Sequence, residues 1–162
     1  MAKPVVSVIM GSESDLEIVK EALEILKDFK IAFEAKVLSA HRTPKELAVY
    51  AEGCVKRGVK IFIAAAGGAA ALAGVIAGHS TLPVIGIPIE TRSLKGLDSL
   101  LSTAQMPAGI PVASMAIGRA GAKNAALFAA EVLALSDKKI ALKLAAYRRA
   151  VRAKIKRTRI KI

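Results

Sequence analysis

Tryptophan is absent from this 162-residue chain, and four Phe and two Tyr are its only aromatic residues. So sparse a set offers no stacking platform for single-stranded nucleic acid. The single cysteine, Cys54, excludes an internal disulfide and makes a reducing cytoplasm the simplest setting. Together with only two histidines, His41 and His79, it forms no cluster of metal-ligand spacing, so no metal is expected. The Met-Ala-Lys-Pro start lacks the small-residue cleavage site of a secretory signal. The longest stretch free of Lys, Arg, Asp and Glu, Ile61–Ile89, exceeds the ~20 residues of a membrane span. Gly67, Gly68, Gly74, Gly78, Pro83 and Pro88 break it up, which suits a buried strand–helix–strand core and no membrane association. Acid is missing from one region entirely. Residues 138–162 hold 11 Lys/Arg and no Asp or Glu, while residues 1–137 hold 14 Lys/Arg against 13 Asp/Glu. The net charge of +12 therefore belongs almost wholly to the tail and bears on the tail's partners, not on the fold.

What is present is the pattern of one globular domain, with 54% apolar and 23% charged residues. Strand-like and helix-like segments alternate. Pro4–Met10 is rich in β-branched residues, and Leu16, Val19, Leu23 and Leu26 then recur at helical spacing to Phe29. Ile31–Leu38 alternates as a strand. Thr43-Pro44-Lys45-Glu46 reads as a capping box opening a helix that closes at Gly58. Val59–Ala66 is the near-continuous apolar run of a central parallel strand. A small-residue helix over about 68–78, a strand at Pro83–Ile89, a short helix from Gly96 and a strand at Pro111–Ile117 follow. Two helices, about 119–135 and 137–157, close the chain. Five strands separated by helices predict an α/β three-layer sandwich, with 1–136 as the α/β domain and 137–162 as a basic terminal helix and tail. Ligands in such folds bind at the carboxyl ends of the strands, where three unusual loops fall.

The first loop, Gly11-Ser12-Glu13-Ser14-Asp15, offers a glycine turn, backbone N–H groups at a helix start and two hydroxyls for an anion. Asp15 is placed to accept from sugar hydroxyls, although helix capping alone explains the same residues equally well. The second, Ser39-Ala40-His41-Arg42-Thr43-Pro44, joins an imidazole, a guanidinium and hydroxyls. Arg42 suits a phosphate, and His41 is the one general acid/base suited to neutral pH; a surface His–Arg pair is the bland alternative. The third, around Gly67-Gly68-Ala69-Ala70, is bare of polar side chains. It offers close backbone approach to a flat ligand, or else merely tight helix-on-sheet packing. His79 falls at a helix end, and Cys54 lies on an apolar helix face with Leu47 and Ala51.

Taken together these loops resemble the PurE family, the 5-(carboxyamino)imidazole ribonucleotide mutases of purine biosynthesis. The motifs are Met10–Asp15 (MGSESD), Ser39–Pro44 (SAHRTP), Gly67–Ala70 (GGAA), Leu82–Pro88 (LPVIGIP), Gly96–Ser99 (GLDS), Gln105–Pro107 (QMP) and Gly109–Val112 (GIPV). The resemblance implies a flavodoxin-like sheet of order 2-1-3-4-5 and a homo-octamer, with no metal or organic cofactor. It implies that Ser12, Asp15 and Arg42 hold the ribose phosphate with Ser39 nearby. The 67–74 loop, with Gly67, Gly68 and Ala70 as its substrate-binding residues, would cover the base of the imidazole ribonucleotide, and His41 would carry the proton. The Gln105–Pro107 region would help complete a neighbour's site. Two departures from the family pattern stand out. Ala71 occupies the place of a histidine, and the polar face of the terminal helix is uniformly basic, although Ile140, Leu144, Tyr147, Val151 and Ile155 keep an apolar stripe. Besides the mutase, the sequence therefore admits an engineered, catalytically impaired octamer serving as an assembly scaffold. It also admits non-specific nucleic-acid binding through residues 138–162, which would weaken with salt.

Overall fold

The computed structural model describes residues 3–160; Lys161, the last of the tail's basic residues, lies outside them. The elements run β1 (Val6–Met10), α1 (Leu16–Asp28), β2 (Phe33–Val37), α2 (Pro44–Arg57), β3 (Ile61–Gly67), α3 (Leu72–His79), β4 (Val84–Ile89), α4 (Leu97–Ala104), β5 (Ala113–Ser114), α5 (Arg119–Ala134) and α6 (Lys138–Arg157). A 3-10 turn at Glu13–Asp15 joins β1 to α1. The strands form one parallel sheet of order β2-β1-β3-β4-β5, the flavodoxin-like arrangement expected.

Strand alternation divides the core between two faces. Val6, Val8, Met10, Ile61, Ile63, Ile85 and Ile87 meet α1 and α5 on one side; Ile9, Phe62, Ala64 and Val84 meet α2 and α3 on the other. α1 buries Val19, Ala22 and Leu26 at helical spacing. α5 opposes it with Ala122, Ala125, Ala126, Ala129 and Ala130, all fully buried, and these short side chains let the two helices approach closely. Arg119 and Lys123 of α5 reach Glu21 of α1 and hold its carboxyl below the usual range through hydrogen bonds, Arg119 first. On the other face Tyr50 bridges α2 to the sheet. Its hydroxyl lies 2.7 Å from Ser7 Oγ and donates to Glu34 Oε1 at 2.6 Å. Burial, reinforced by Glu34, pushes the Tyr50 hydroxyl well above its ordinary pKa, so it stays a donor. Cys54 is buried beside Leu47 and Ala51, as read from its position.

Several local expectations need correction. Thr43 does not cap α2 and no capping box forms. Its hydroxyl instead accepts from Ser39 N–H (2.9 Å) and donates to Ser39 C=O (3.1 Å), closing the loop before the helix. The helix does end at Gly58, with φ +93°. α3 starts four residues later than the composition of 68–78 implied, because Gly68 (φ +68°) and Ala70 (φ +33°) leave helical space. β5 is two residues and not seven. The chain runs beside β4 through Met115 N–H to Gly86 C=O and Gly118 N–H to Pro88 C=O, but Pro111, with no N–H to donate, stays outside the short edge ladder. α6 is capped by Asp137, which accepts from Lys139 and Ile140 N–H. Leu144 is buried, and Tyr147 lies against Phe29 with ring centroids 6.0 Å apart. Further along the stripe, Val151 is 43% and Ile155 69% exposed. No helix among the described residues is long and apolar enough to cross a membrane.

Candidate functional site

Parallel pairing decides which loops become neighbours. Met10 of β1 stands opposite Val37 of β2 and Ala65 of β3, so the loops after these strands emerge side by side at the carboxyl edge. They enclose a cavity of about 380 Å³, within the range of small-ligand sites. Of the residues expected there, Ser12, Asp15, Ser39, His41, Arg42, Gly67 and Ala70 line it. Gly68 does not. Its N–H is taken up within the protein, donating to Ser99 Oγ at 2.9 Å.

In the first loop, capping and ligand-facing geometry coexist. Ser12 Oγ accepts from Ser14 N–H (3.3 Å) and Ser14 Oγ–H (2.9 Å), and Asp15 Oδ2 accepts from Ser12 N–H (3.2 Å), so a true capping box forms here. The Ser12 hydroxyl proton remains available to an acceptor in the cavity. Gly11 is not in left-handed space, and a Cβ there would make only ordinary contacts at 3.8 Å or beyond, so the expected glycine turn is not what this residue supplies. It supplies a carbonyl: Arg42 Nη2 donates to Gly11 C=O at 2.6 Å. Arg42 also bonds Ser39 Oγ through its backbone N–H (3.2 Å) and Nε (3.4 Å). The guanidinium therefore pins the first two loops together, and its Nη1 group is left to meet an anion.

His41 is exposed at the cavity rim. Asp15, by contrast, is only 8% exposed. Burial raises its pKa, partly offset by the Ser12 N–H, the Ser14 hydroxyl and the positive charge of Arg42. A carboxyl whose folded pKa lies above its unfolded value is a penalty once ionised. It weakens the fold progressively as pH rises from the unfolded value, and the full penalty remains at neutrality. Asp15→Asn keeps an acceptor for Ser12 N–H without the charge. The expected outcome is a higher melting temperature at neutral pH, an advantage that disappears in acid, together with weaker binding of any ligand whose hydroxyl donates to Asp15. Thermal melts across pH beside a binding titration check both halves.

Ala71 and Leu72, within the 67–74 loop expected to cover the base, line the cavity as well, and Ala40 and Ala66 join them without having been expected there. The small side chains of Ala40 and Ala66 carry no chemical signal; only the topology reveals them. Ala70, 3% exposed, holds a positive φ of +33° that a residue with a Cβ seldom adopts, a strained backbone at the cavity wall. Among the described residues no group of three or more His, Cys, Asp or Glu could hold a metal ion. A larger groove of about 940 Å³ lies at the opposite, amino edge of β4, bordered by the His79–Glu52 pair and Gly109–Pro111. It shares no residue with the three loops.

The match to known proteins follows the same residues. The AIR carboxylase family model covers residues 5–154. The chain belongs to that family, the family of PurE. It is 52% identical to the N5-carboxyaminoimidazole ribonucleotide mutase of Saccharolobus solfataricus, over 97% of this chain and 98% of that one. It is likewise 52% identical to the mutase of the same name from Bacillus subtilis, over 88% of each chain. The crystal structure of Treponema denticola PurE superposes with a TM-score of 0.85 at 32% identity, covering 94% of both chains. The PurE-like sheet expected from the motifs is thus the sheet observed.

Proposed function

We propose that this chain is an N5-carboxyaminoimidazole ribonucleotide mutase acting in purine biosynthesis in the cytoplasm. The observation that carries the reading is the convergence of three loops on one cavity with a single imidazole at its rim, in a chain aligned nearly end to end with proteins named as that mutase. In this reading Ser12 and Arg42 bind the ribose phosphate, Asp15 accepts from a ribose hydroxyl, and Ser39 orients Arg42. The backbone of Gly67–Ala71 lies along the base.

The reaction then needs one proton carrier. His41 gives a proton to the exocyclic nitrogen as the carbamate N–C bond breaks and carbon dioxide is released inside the cavity. Ring carbon 4, made nucleophilic by the freed amine, attacks the trapped gas. His41 takes back the proton that carbon 4 loses, so protons and electrons balance over the cycle without an oxidant or reductant. An imidazole can both give and take a proton, which suits both transfers, and confinement supplies the proximity. Leu72 and the alanines 40, 66, 70 and 71 make part of the wall apolar.

We further propose that the chain works as a homo-octamer. The uncovered apolar stripe of α6 beyond Tyr147 supports burial of that helix against other copies, and light scattering reads the copy number directly. Ala71 leaves His41 as the one imidazole lining the cavity. The test is turnover of the carboxyamino nucleotide by the unmodified chain and by Ala71→His. Turnover by the unmodified chain supports the enzyme. Turnover confined to Ala71→His, or to neither, returns the scaffold reading. Nucleic acid that co-purifies at low salt and leaves at high salt would support a polyanion role for the tail.

A further inference from the structure

The Gly96–Ser99 motif has no place among the cavity-lining residues, yet it controls one wall of the cavity. Ser99, in the first turn of α4, is fully buried. Its hydroxyl donates to Ile89 C=O at 2.7 Å and accepts from Gly68 N–H at 2.9 Å. Ile89 and Gly67 are register partners at the ends of β4 and β3. One oxygen therefore ties the last residue of β4 to the first peptide of the glycine loop after β3. One helical turn further on, Ser102 Oγ donates to Ala69 C=O. The two serines sit three residues apart on one helix face and hold the loop from behind.

Ser99 is itself held in place. Asp98 Oδ1 accepts from Ser99 N–H (2.9 Å) and from Thr91 Oγ1 (2.8 Å), and Thr91 Oγ1 in turn accepts from Gly96 N–H (3.3 Å). Thr103 Oγ1 donates to Ser99 C=O at 2.7 Å. The loop needs this support because it is strained. Gly68 adopts its positive φ freely, but Ala70 carries a Cβ at φ +33°, and such backbone persists only where its surroundings over-determine it.

We propose that Ser99, seconded by Ser102, is a positioning residue that holds the Gly67–Ala71 backbone as the closed wall of the cavity. In the mutase reading, on which this second consequence rests, the same wall retains carbon dioxide between its release from nitrogen and its capture by carbon 4. When the wall loosens, the N–C bond still breaks and the nitrogen still takes a proton. The gas escapes, however, and the uncarboxylated aminoimidazole nucleotide leaves as a by-product.

The experiment compares the full-length protein with Ser99→Ala and with Ser102→Ala. The second variant alters an exposed side chain and secures a folded protein if the first does not fold. Hydrogen–deuterium exchange of the segment 67–71 without nucleotide is expected to quicken about tenfold in Ser99→Ala and less in Ser102→Ala, with α1 and α5 unchanged. With the carboxyamino nucleotide, the ratio of released aminoimidazole to carboxylated product is expected to rise in the same order, with kcat for the carboxylated product falling more than KM changes. Ser99→Cys, which keeps a weak donor and acceptor, is expected to recover part of both effects. Unchanged exchange in a folded Ser99→Ala, or in Ser102→Ala if Ser99→Ala does not fold, overturns the positioning role. Faster exchange with an unchanged product ratio overturns the retention of carbon dioxide. A wild-type protein without turnover overturns the mutase reading alone, because the exchange measurement does not use activity.

Discussion

His41→Asn is expected to lower turnover of the carboxyamino nucleotide by about 10²–10⁴-fold, the usual worth of a positioned general acid/base. The loss should fall on kcat, with nucleotide affinity little changed, because the groups proposed to bind the phosphate are Ser12 and Arg42, and both are anchored independently of His41. Asparagine retains a hydrogen-bonding side chain of similar reach but cannot exchange a proton near neutral pH. His41 is exposed and lies in the turn before α2, so the substitution should leave the melting temperature within the small range of surface changes. Steady-state kinetics, a nucleotide titration and a thermal melt of one preparation separate these effects. A variant with near-normal kcat would remove His41 from the proton path, and no other imidazole lines the cavity to replace it.

The largest effect on stability is expected at Gly121, in the first turn of α5. A Cβ at this position would lie 1.6 Å from Ala116 C=O oxygen and 2.7 Å from its carbonyl carbon. Both are backbone atoms, so no side-chain rotation relieves the clash. Nor can α5 retreat, because its alanine face is fully buried against α1 and the sheet. Gly121→Ala should therefore cost about 3 kcal/mol or more and could prevent folding altogether. Gly53 is the matched control. It lies within α2, where an added Cβ meets nothing within 4 Å, and Gly53→Ala should stabilise by about 0.5–1 kcal/mol by reducing the freedom of the unfolded chain. Urea denaturation of the two variants reads opposite signs from one chemical change. A Gly121→Ala protein with an unchanged midpoint would contradict the packing of α5 described above.

Most of the architecture was legible because the hydrophobic period changes so often. β3 and β4 are apolar throughout and β1 is so except for Ser7, as expected of buried parallel strands, and α1 keeps its charges between Leu16, Val19, Leu23 and Leu26. The side chains of the site were legible for another reason. Ser12, Asp15, Ser39, His41 and Arg42 are polar groups clustered where strands end, and the parallel topology brings such ends together. What escaped the sequence depends on where one hydroxyl or one amide points. Thr43 had a capping partner at the right spacing in Glu46, yet Ser39 captured its hydroxyl first. Gly68 and Ala70 sit in a run of small residues that reads as helix, and only their backbone angles show a turn. Ser99 is an ordinary serine in an amphipathic helix until its two partners, at separations of 10 and 31 residues, are seen. Ala40 and Ala66 have no polar atom in their side chains, so nothing but position marks them as cavity wall.

The central claim is that carbon dioxide leaves one atom of the nucleotide and is captured by another without leaving the cavity. It is tested most directly by carboxyamino nucleotide with an isotopically labelled carbamate carbon, turned over in buffer with abundant unlabelled bicarbonate. The account predicts product labelled in the new carboxylate on carbon 4, with label retained at early times in proportion to turnover. Product carrying only unlabelled carboxylate would mean capture of free carbon dioxide from solution, and absence of product would mean that the cavity binds without catalysing; either result contradicts the account.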